Sequence, residues 1–475
     1  MSDNRPSHLT AYLDGLRGIA SLVVFSFHTL WAYCAFVEYG YGDGPKNYHL
    51  LQLPLARLIH AGHAMVPVFF VIGGYVMALK PLRRIRADGR EGLHLSLAGS
   101  IIRKSIRLYT PAIIVTFASM LSLQFGLWEF PRRFLTIPGL YNYPDIHPLP
   151  ERTWPSEIAR WIYATFGLTN IFTYYNRGYV LPYYNPYDPH LWYLPFEMRS
   201  TLVVSLVLLA LSRCRTTIRT SLTLAAIILS CLCDRWECML FLSGALLADI
   251  DMTLLPDRGG GTQLALPPSR LRALLPYVLL LSALFLLSAP NLRINHTPGY
   301  AWIRAYFVPP TISDPKRFLH GAGAVLLLAA LASSPALQRP LVTDFALEAG
   351  RRSYALYVVH GPLLHIVNYS VTPVVWKTLG YIGEGASTIE ILEDVADSDG
   401  FFGGRCYKWA LGFIIGAGTT GAMAWMVAGL FELTIERRCI RAARKIEDWC
   451  FSRLEVHGEA EMVMGEVGHR GLLPR

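Results

Sequence analysis

The stretch Leu13-Asp14-Gly15-Leu16-Arg17-Gly18-Ile19-Ala20-Ser21-Leu22-Val23-Val24-Phe25-Ser26-Phe27-His28 decides how this chain folds. From Ile19 onward it is apolar and free of turn residues, and the apolar run continues to about residue 37. That is the length a helix needs to cross a bilayer, roughly 20 residues. Yet the segment carries Arg17 and His28, and an ionisable group inside a span costs several kcal/mol, which makes each a functional candidate. The two are eleven residues apart. At about 100° and 1.5 Å per residue they share one helix face and lie about 16 Å apart. With Arg17 at the cytosolic boundary, His28 falls near the middle of the membrane.

The rest of the chain has the same character. Of 475 residues, 53% are apolar and only 16% charged, against about a quarter charged in a soluble domain. This excludes disorder, a collagen-like chain and a small disulfide scaffold, and argues against an ordinary soluble enzyme. Ten apolar segments fit spans: 15–37, 64–80, 108–127, 191–211, 217–233, 236–250, 271–289, 318–337, 353–371 and 409–433. The fold class expected is therefore all-α, a polytopic membrane bundle of about ten helices. The fifth and sixth segments are separated by Asp234 and Arg235 and read as a tight hairpin or a partly re-entrant pair.

Lys and Arg in short loops mark the cytosolic side. Lys80, Arg83, Arg84, Arg86, Arg90, Arg103, Lys104 and Arg107 between the second and third spans give the strongest signal. Arg213 and Arg215 agree with it, as do Arg437, Arg438, Arg441, Arg444 and Lys445 after the last span, whereas the 372–408 segment is acidic. Both termini are thus expected in the cytosol, with a transmembrane domain over 1–445 and a basic, polar tail over 446–475. The net charge of +9 flanks spans and forms no basic polar face, so nucleic acid is not an expected partner. Arg17 and His28 make the first span a poor cleavable leader. The 256–268 stretch reads as a flexible loop. The aromatic, Pro-rich segment 128–190 reads as a lid or an ordered loop on the non-cytosolic side, packing into the bundle through 161–172.

Asn295-His296-Thr297 is a glycosylation candidate at Asn295, weakened by Pro298, and Asn368-Tyr369-Ser370 lies inside a span and is read as chance. The eight cysteines show no metal spacing and read as free thiols, so no metal is expected.

Three further groups of polar residues lie in or at the spans. Arg103 and Arg107, at i and i+4, form one cationic stripe suited to phosphates. Glu197 lies two turns inside the fourth span, and a buried carboxylate needs a cation or donors; His28 is one partner it could take. His360 lies two turns into the ninth span. His63 sits at the entry to the second.

Read together, these segments resemble the acyltransferase-3 family of integral membrane O-acyltransferases. Arg17 and His28 look like its Arg-x10-His signature, within Leu13 to His28. The run from Val66 to Tyr75 is similar to its second-span Phe-Phe-x-x-Ser-Gly segment, with Gly73 in place of Ser. Arg103 to Pro111 resembles the Arg-x3-Arg-Leu-x-Pro entry to the third span, with one extra residue before Pro111. Trp192 to Glu197 looks like Leu-Trp-x-Leu-x-x-Glu, and Ser353 to His360 like Ser-x-x-Leu-Tyr-x-x-His. The ordered set covers most of the chain.

The resemblance implies acyl-CoA as co-substrate, acetyl-CoA by default, with no permanently bound cofactor. It implies transfer of a short acyl group to a hydroxyl of a small hydrophobic molecule, a secondary metabolite being one such acceptor. It also implies a stand-alone enzyme in the endoplasmic reticulum or another endomembrane, with His28 as the catalytic residue. A base of near-neutral pKa contributes about 10²–10⁴-fold. His28, oriented by Glu197, would take the hydroxyl proton. His360 would polarise the thioester or hold the acceptor, and Arg17, Arg103 and Arg107 would bind the CoA phosphates. Direct transfer is the expected route and a covalent acyl-histidine its alternative. A transporter using the same Arg, His and Glu as a relay is the rival class, but neither repeats nor paired broken spans appear. A non-catalytic scaffold leaves the Arg17–His28 pairing without a reason.

Overall fold

In the computed structural model, residues 10–87, 92–137, 140–172, 185–254, 270–382 and 404–451 are described, and among them there is helix and no strand. The helices are α1 (Ala11–Trp31), α2 (Gly62–Arg86), α3 (Leu93–Gln124), α4 (Glu129–Leu135), α5 (Trp154–Thr169), α6 (Tyr193–Ala210), α7 (Thr216–Leu232), α8 (Trp236–Leu254), α9 (Arg270–Leu287), α10 (Tyr300–Phe307), α11 (Pro315–Ser333), α12 (Pro335–Gln338), α13 (Asp344–Leu363), α14 (Tyr369–Thr378) and α15 (Gly404–Phe431). Each of the ten apolar segments lies largely on these helices, although 15–37 runs past the end of α1, 318–337 from α11 into α12, and 353–371 from α13 through a π turn into α14. Among the described residues, five helices are long and apolar enough to cross a membrane: Gly62–Arg86, Leu93–Gln124, Pro189–Ala210, Pro315–Ser333 and Tyr407–Phe451. The last of these continues α15 through a π turn at Glu432–Glu436, so helix runs past residue 445.

Several expectations find a definite form. α7 and α8 are a tight hairpin, turned by Asp234 at φ 55°. The described part of segment 128–190 packs on α3 through α5, where Trp161 donates to Thr116 Oγ1 at 3.2 Å. Asn295 is exposed, but Thr297 is buried. Asn368 is buried, accepts from the Tyr33 hydroxyl at 2.8 Å and donates to Thr420. Cys34, Cys214, Cys231, Cys233, Cys238, Cys439 and Cys450 are free thiols. The stretch 256–268, the acidic residues of 384–399, Arg90, most of the 174–187 tyrosines and the tail beyond 451 lie outside the described residues.

Small residues set the closest helix contacts, as they do where apolar lipid gives helices no hydrophobic reason to associate. α2 and α8 meet where a Cβ on Gly74 would strike the Phe241 carbonyl and one on Gly244 the Val71 carbonyl. A Cβ on Gly73 would come within 2.8 Å of the Phe241 ring, so the glycine standing where the family has Ser makes room for that ring. α1 and α13 meet at Gly18 and Gly350: a Cβ on Gly18 would overlap the Gly350 nitrogen, and one on Gly350 the Asp14 carbonyl. His28 and His360 each lie ten residues beyond that contact. The two helices run parallel, so the same rise of about 15 Å brings both imidazoles to one level.

Beyond His360, Pro362 lacks a backbone donor, and α13 passes through a π turn at Leu364–Asn368 into α14. His365, in that turn, stacks on Trp128 at 4.7 Å and meets His147 at 4.7 Å. His147 comes from the irregular segment before α5. Burial, reinforced by the nearby Arg132, pushes its imidazole down to about 3.

Two predictions follow from this packing. Gly18→Val should cost about 3 kcal/mol through overpacking, lower the melting temperature and abolish activity by moving His28 off the level of His360; thermal unfolding in detergent together with an activity assay checks this. The depressed His147 means that the unfolded chain binds a proton the folded one does not, so stability falls as pH drops from about 6.5 towards 3. His147→Phe should flatten that acid limb; an unchanged difference in melting temperature between pH 7 and pH 5 would rule the contribution out.

Candidate functional site

α1, α13 and the turn before α6 bring three imidazoles together. The His28 and His190 ring centroids lie 4.2 Å apart, His190 and His360 4.7 Å, and His28 and His360 5.4 Å. One ring nitrogen from each lies within 4.8 Å of the others, close enough for the three to share one cation. His360 is 2% exposed and His190 5%. His360 Nδ1 lies 2.7 Å from the Tyr357 carbonyl, leaving Nε2 buried without a partner. His28 Nδ1 is likewise buried and unpartnered.

His190 is the residue that sequence reasoning missed. It stands two positions before Trp192, just outside the segment singled out there. Asp188 caps the short Pro189–Trp192 helix by accepting the His190 backbone N–H at 3.0 Å. The same carboxylate oxygen lies 2.9 Å from His190 Nδ1. Asp145 lies 3.6 Å from His190 Nε2 and 3.7 Å from His365 Nε2. Burial raises the Asp145 carboxyl, with His190 opposing the rise.

His28 and His190 line one cavity. Its walls include Val24, Phe27, Trp31, Val66 and Trp192, together with Asp145, Lys316 and Arg317. Arg317 lies over Trp236 at 4.4 Å and Trp192 at 5.3 Å, and its Nε is 3.2 Å from Asp314. His63 also reaches this cavity, edge-on to Phe27 and 3.9 Å from Glu38.

Glu197 is not among these groups. It pairs with Lys104 at 2.9 Å, so the expected orientation of His28 by Glu197 is not what the structure contains. The reason is depth: Glu197 lies seven residues beyond His190, about 10 Å further along α6, level with the basic end of the bundle. Arg17, Arg107, Glu197, Tyr193, Tyr354 and Glu436 form one electrostatic neighbourhood there. Arg103 belongs to the same end but is held by Glu447. Arg86, from the basic loop, is pinned by Asp249 at 2.6 Å, which also binds Arg219 at 2.7 Å.

The arrangement is an imidazole cluster on a cavity lined by both apolar and charged side chains, with a cationic cluster further along the bundle. It can hold and move a proton beside an uncharged acceptor, and bind an anionic group at the basic end.

The comparisons with known proteins point the same way. An O-acetyltransferase, PaAT-1, from Phomopsis amygdali is 29% identical over 77% of this chain and 74% of its own length. Acyltransferase R4 from a Phoma species is 24% identical over 79% of the chain and 87% of its own. Acyltransferase clz18 from Cochliobolus lunatus is 25% identical over 78% and 86%. No solved structure matches the chain significantly. The family model described as an acyltransferase domain matches residues 10–426. The chain belongs to the acyltransferase-3 family and is an acyltransferase.

Proposed function

We propose that this protein moves a short acyl group, acetyl by preference, from acyl-CoA to a hydroxyl of a small hydrophobic acceptor such as a secondary metabolite. The observation that carries the reading is His28: a half-buried imidazole on the cavity wall, in ring contact with His190 and His360. An unassisted hydroxyl attacks a thioester slowly, and a positioned base supplies about 10²–10⁴-fold. His28 takes the hydroxyl proton as the oxygen attacks the thioester carbon, the C–S bond breaks, and the proton passes to the departing CoA sulfur. His360, its Nδ1 fixed on the Tyr357 carbonyl, holds the acceptor or the thioester oxygen.

The wall residues Val24, Phe27, Trp31 and Trp192 suit an apolar carbon skeleton. Acetyl is favoured because the relative from Phomopsis amygdali is an O-acetyltransferase. Arg17 and Arg107 bind the CoA phosphates at the basic end; Arg103 and Lys104 join them when their pairs with Glu447 and Glu197 open. All ten apolar segments span the bilayer, with both termini in the cytosol, and the membrane is the endoplasmic reticulum or another endomembrane. The basic loops support this orientation.

The test uses the detergent-solubilised protein with labelled acetyl-CoA and a panel of hydroxylated hydrophobic acceptors. His28→Ala should lower transfer by at least about 10²-fold while the protein is made and inserted; turnover retained in this variant sinks the base assignment. Arg107→Ala should raise the KM for acetyl-CoA and leave that for the acceptor; an equal effect on both argues against phosphate binding.

A further inference from the structure

His190 is built into the site more firmly than His28. Its backbone N–H is accepted by Asp188, its carbonyl takes the Tyr357 hydroxyl at 2.8 Å, and its Nδ1 lies 2.9 Å from Asp188 Oδ1. A carboxylate only accepts, so Nδ1 carries the hydrogen and Nε2 presents a lone pair. That Nε2 is buried with no hydrogen-bond partner. α13 leaves room for the pair: a Cβ on Gly361 would overlap Asp188 Oδ1 and come within 2.8 Å of His190 Nδ1.

His28 differs in one respect that decides the proton's path. Among the described residues, Asp188 and Asp145 pair with His190, Asp145 also pairs with His365, and no carboxylate pairs with His28. A proton left on His28 would be a buried cation without a counter-charge, which is costly. One ring away it would face two carboxylates. The ring nitrogens lie within 4.8 Å, a gap that one hydroxyl or water bridges.

We propose that Asp188 and His190 form the proton-holding half of the acyl-transfer site: His28 takes the hydroxyl proton, His190 Nε2 receives it, and Asp188 stabilises it there until the CoA sulfur leaves. This rests on the acyltransfer reading with His28 as base. The new O–C bond forms as C–S breaks, the electron pair goes to sulfur, and the stored proton returns to the thiolate, so no oxidant or further reactant is needed.

The test runs on the full-length protein in detergent, with acetyl-CoA and a panel acceptor that the wild type acylates. Asp188→Asn keeps the side-chain size and the helix cap. It should lower kcat by about 10²-fold, leave both KM values within about threefold and leave the melting temperature unchanged. His190→Gly should regain turnover when free imidazole is added, which a merely structural role would not allow, and Asp188→Asn should not. In mixed H2O and D2O the wild-type rate should curve with deuterium fraction, as two moving protons require, and straighten in Asp188→Asn. If Asp188→Asn and His190→Gln both keep kcat within about threefold of wild type while His28→Ala is inactive, the proposal falls and the His28 assignment stands. If His28→Ala is active, that assignment falls instead and takes the relay with it. A stoichiometric divalent metal whose removal abolishes activity would give the three imidazoles to an ion and would also overturn the proposal.

Discussion

The site depends on how closely two parallel helices approach. α1 and α13 touch through Gly18 and Gly350, where neither has space for a Cβ. Backbone contact of this kind fixes register, because sliding one helix past the other would require a groove that the next side chain already fills. Register is what the site needs. His28 and His360 are fixed in depth only through the equal run of helix that separates each from the contact. The tilt of their rings is a local matter; their meeting is a property of the interface.

Much of this architecture is legible in the sequence, for identifiable reasons. An apolar run of span length is a local property, so all ten segments appear as helices. An ionisable residue inside such a run is equally local, and it brings Arg17, His28, Glu197 and His360 forward. What cannot be read locally is the pairing. Glu197 is a candidate partner for His28 on chemistry alone, yet its depth along α6 sets it beside Lys104. His190 shows the opposite case. It lies in a turn at the end of a span, where a histidine is unremarkable, and only the folded chain sets it 4.2 Å from His28. The Asp188-Pro189-His190 order was the available signal: Asp before Pro is a helix-start pattern, and a carboxylate two residues before a histidine can cap the turn and orient the ring at once.

The distribution of charge explains why histidines occupy the centre. Near the helix ends, buried cations are matched by carboxylates: Arg86 and Arg219 by Asp249, Arg199 by Glu237, and Lys104 by Glu197. A matched pair tolerates burial but is chemically quiet, because its proton and lone pairs are already engaged. An imidazole is the side chain that can sit neutral in an apolar interior, keep a lone pair and accept a proton during turnover. The cluster of His28, His190 and His360 with unpartnered ring nitrogens is thus the part of the interior where proton movement is cheap. The two aspartates beside it, Asp145 and Asp188, make it cheaper on one side than on the other.

On the proposed reading, that asymmetry bears on a problem of acyl transfer from CoA: water competes with the acceptor for the thioester. A base exposed to bulk water would activate water as readily as a hydroxyl. His28, the base on that reading, lies on a cavity whose apolar rings stand beside four imidazoles, Asp145, Lys316 and Arg317, so water has polar partners there until an acceptor displaces it. A hydrophobic acceptor fills the same space with favourable burial, roughly 25 cal/mol per Å² of apolar surface, and displaces water from the base as it delivers its hydroxyl. On the proposed reading, selectivity for an alcohol over water would come from the apolar walls Phe27, Trp31 and Trp192, and rate from the imidazoles. The two can be altered separately, because the wall residues contribute area and no proton, and the imidazoles contribute lone pairs and little area.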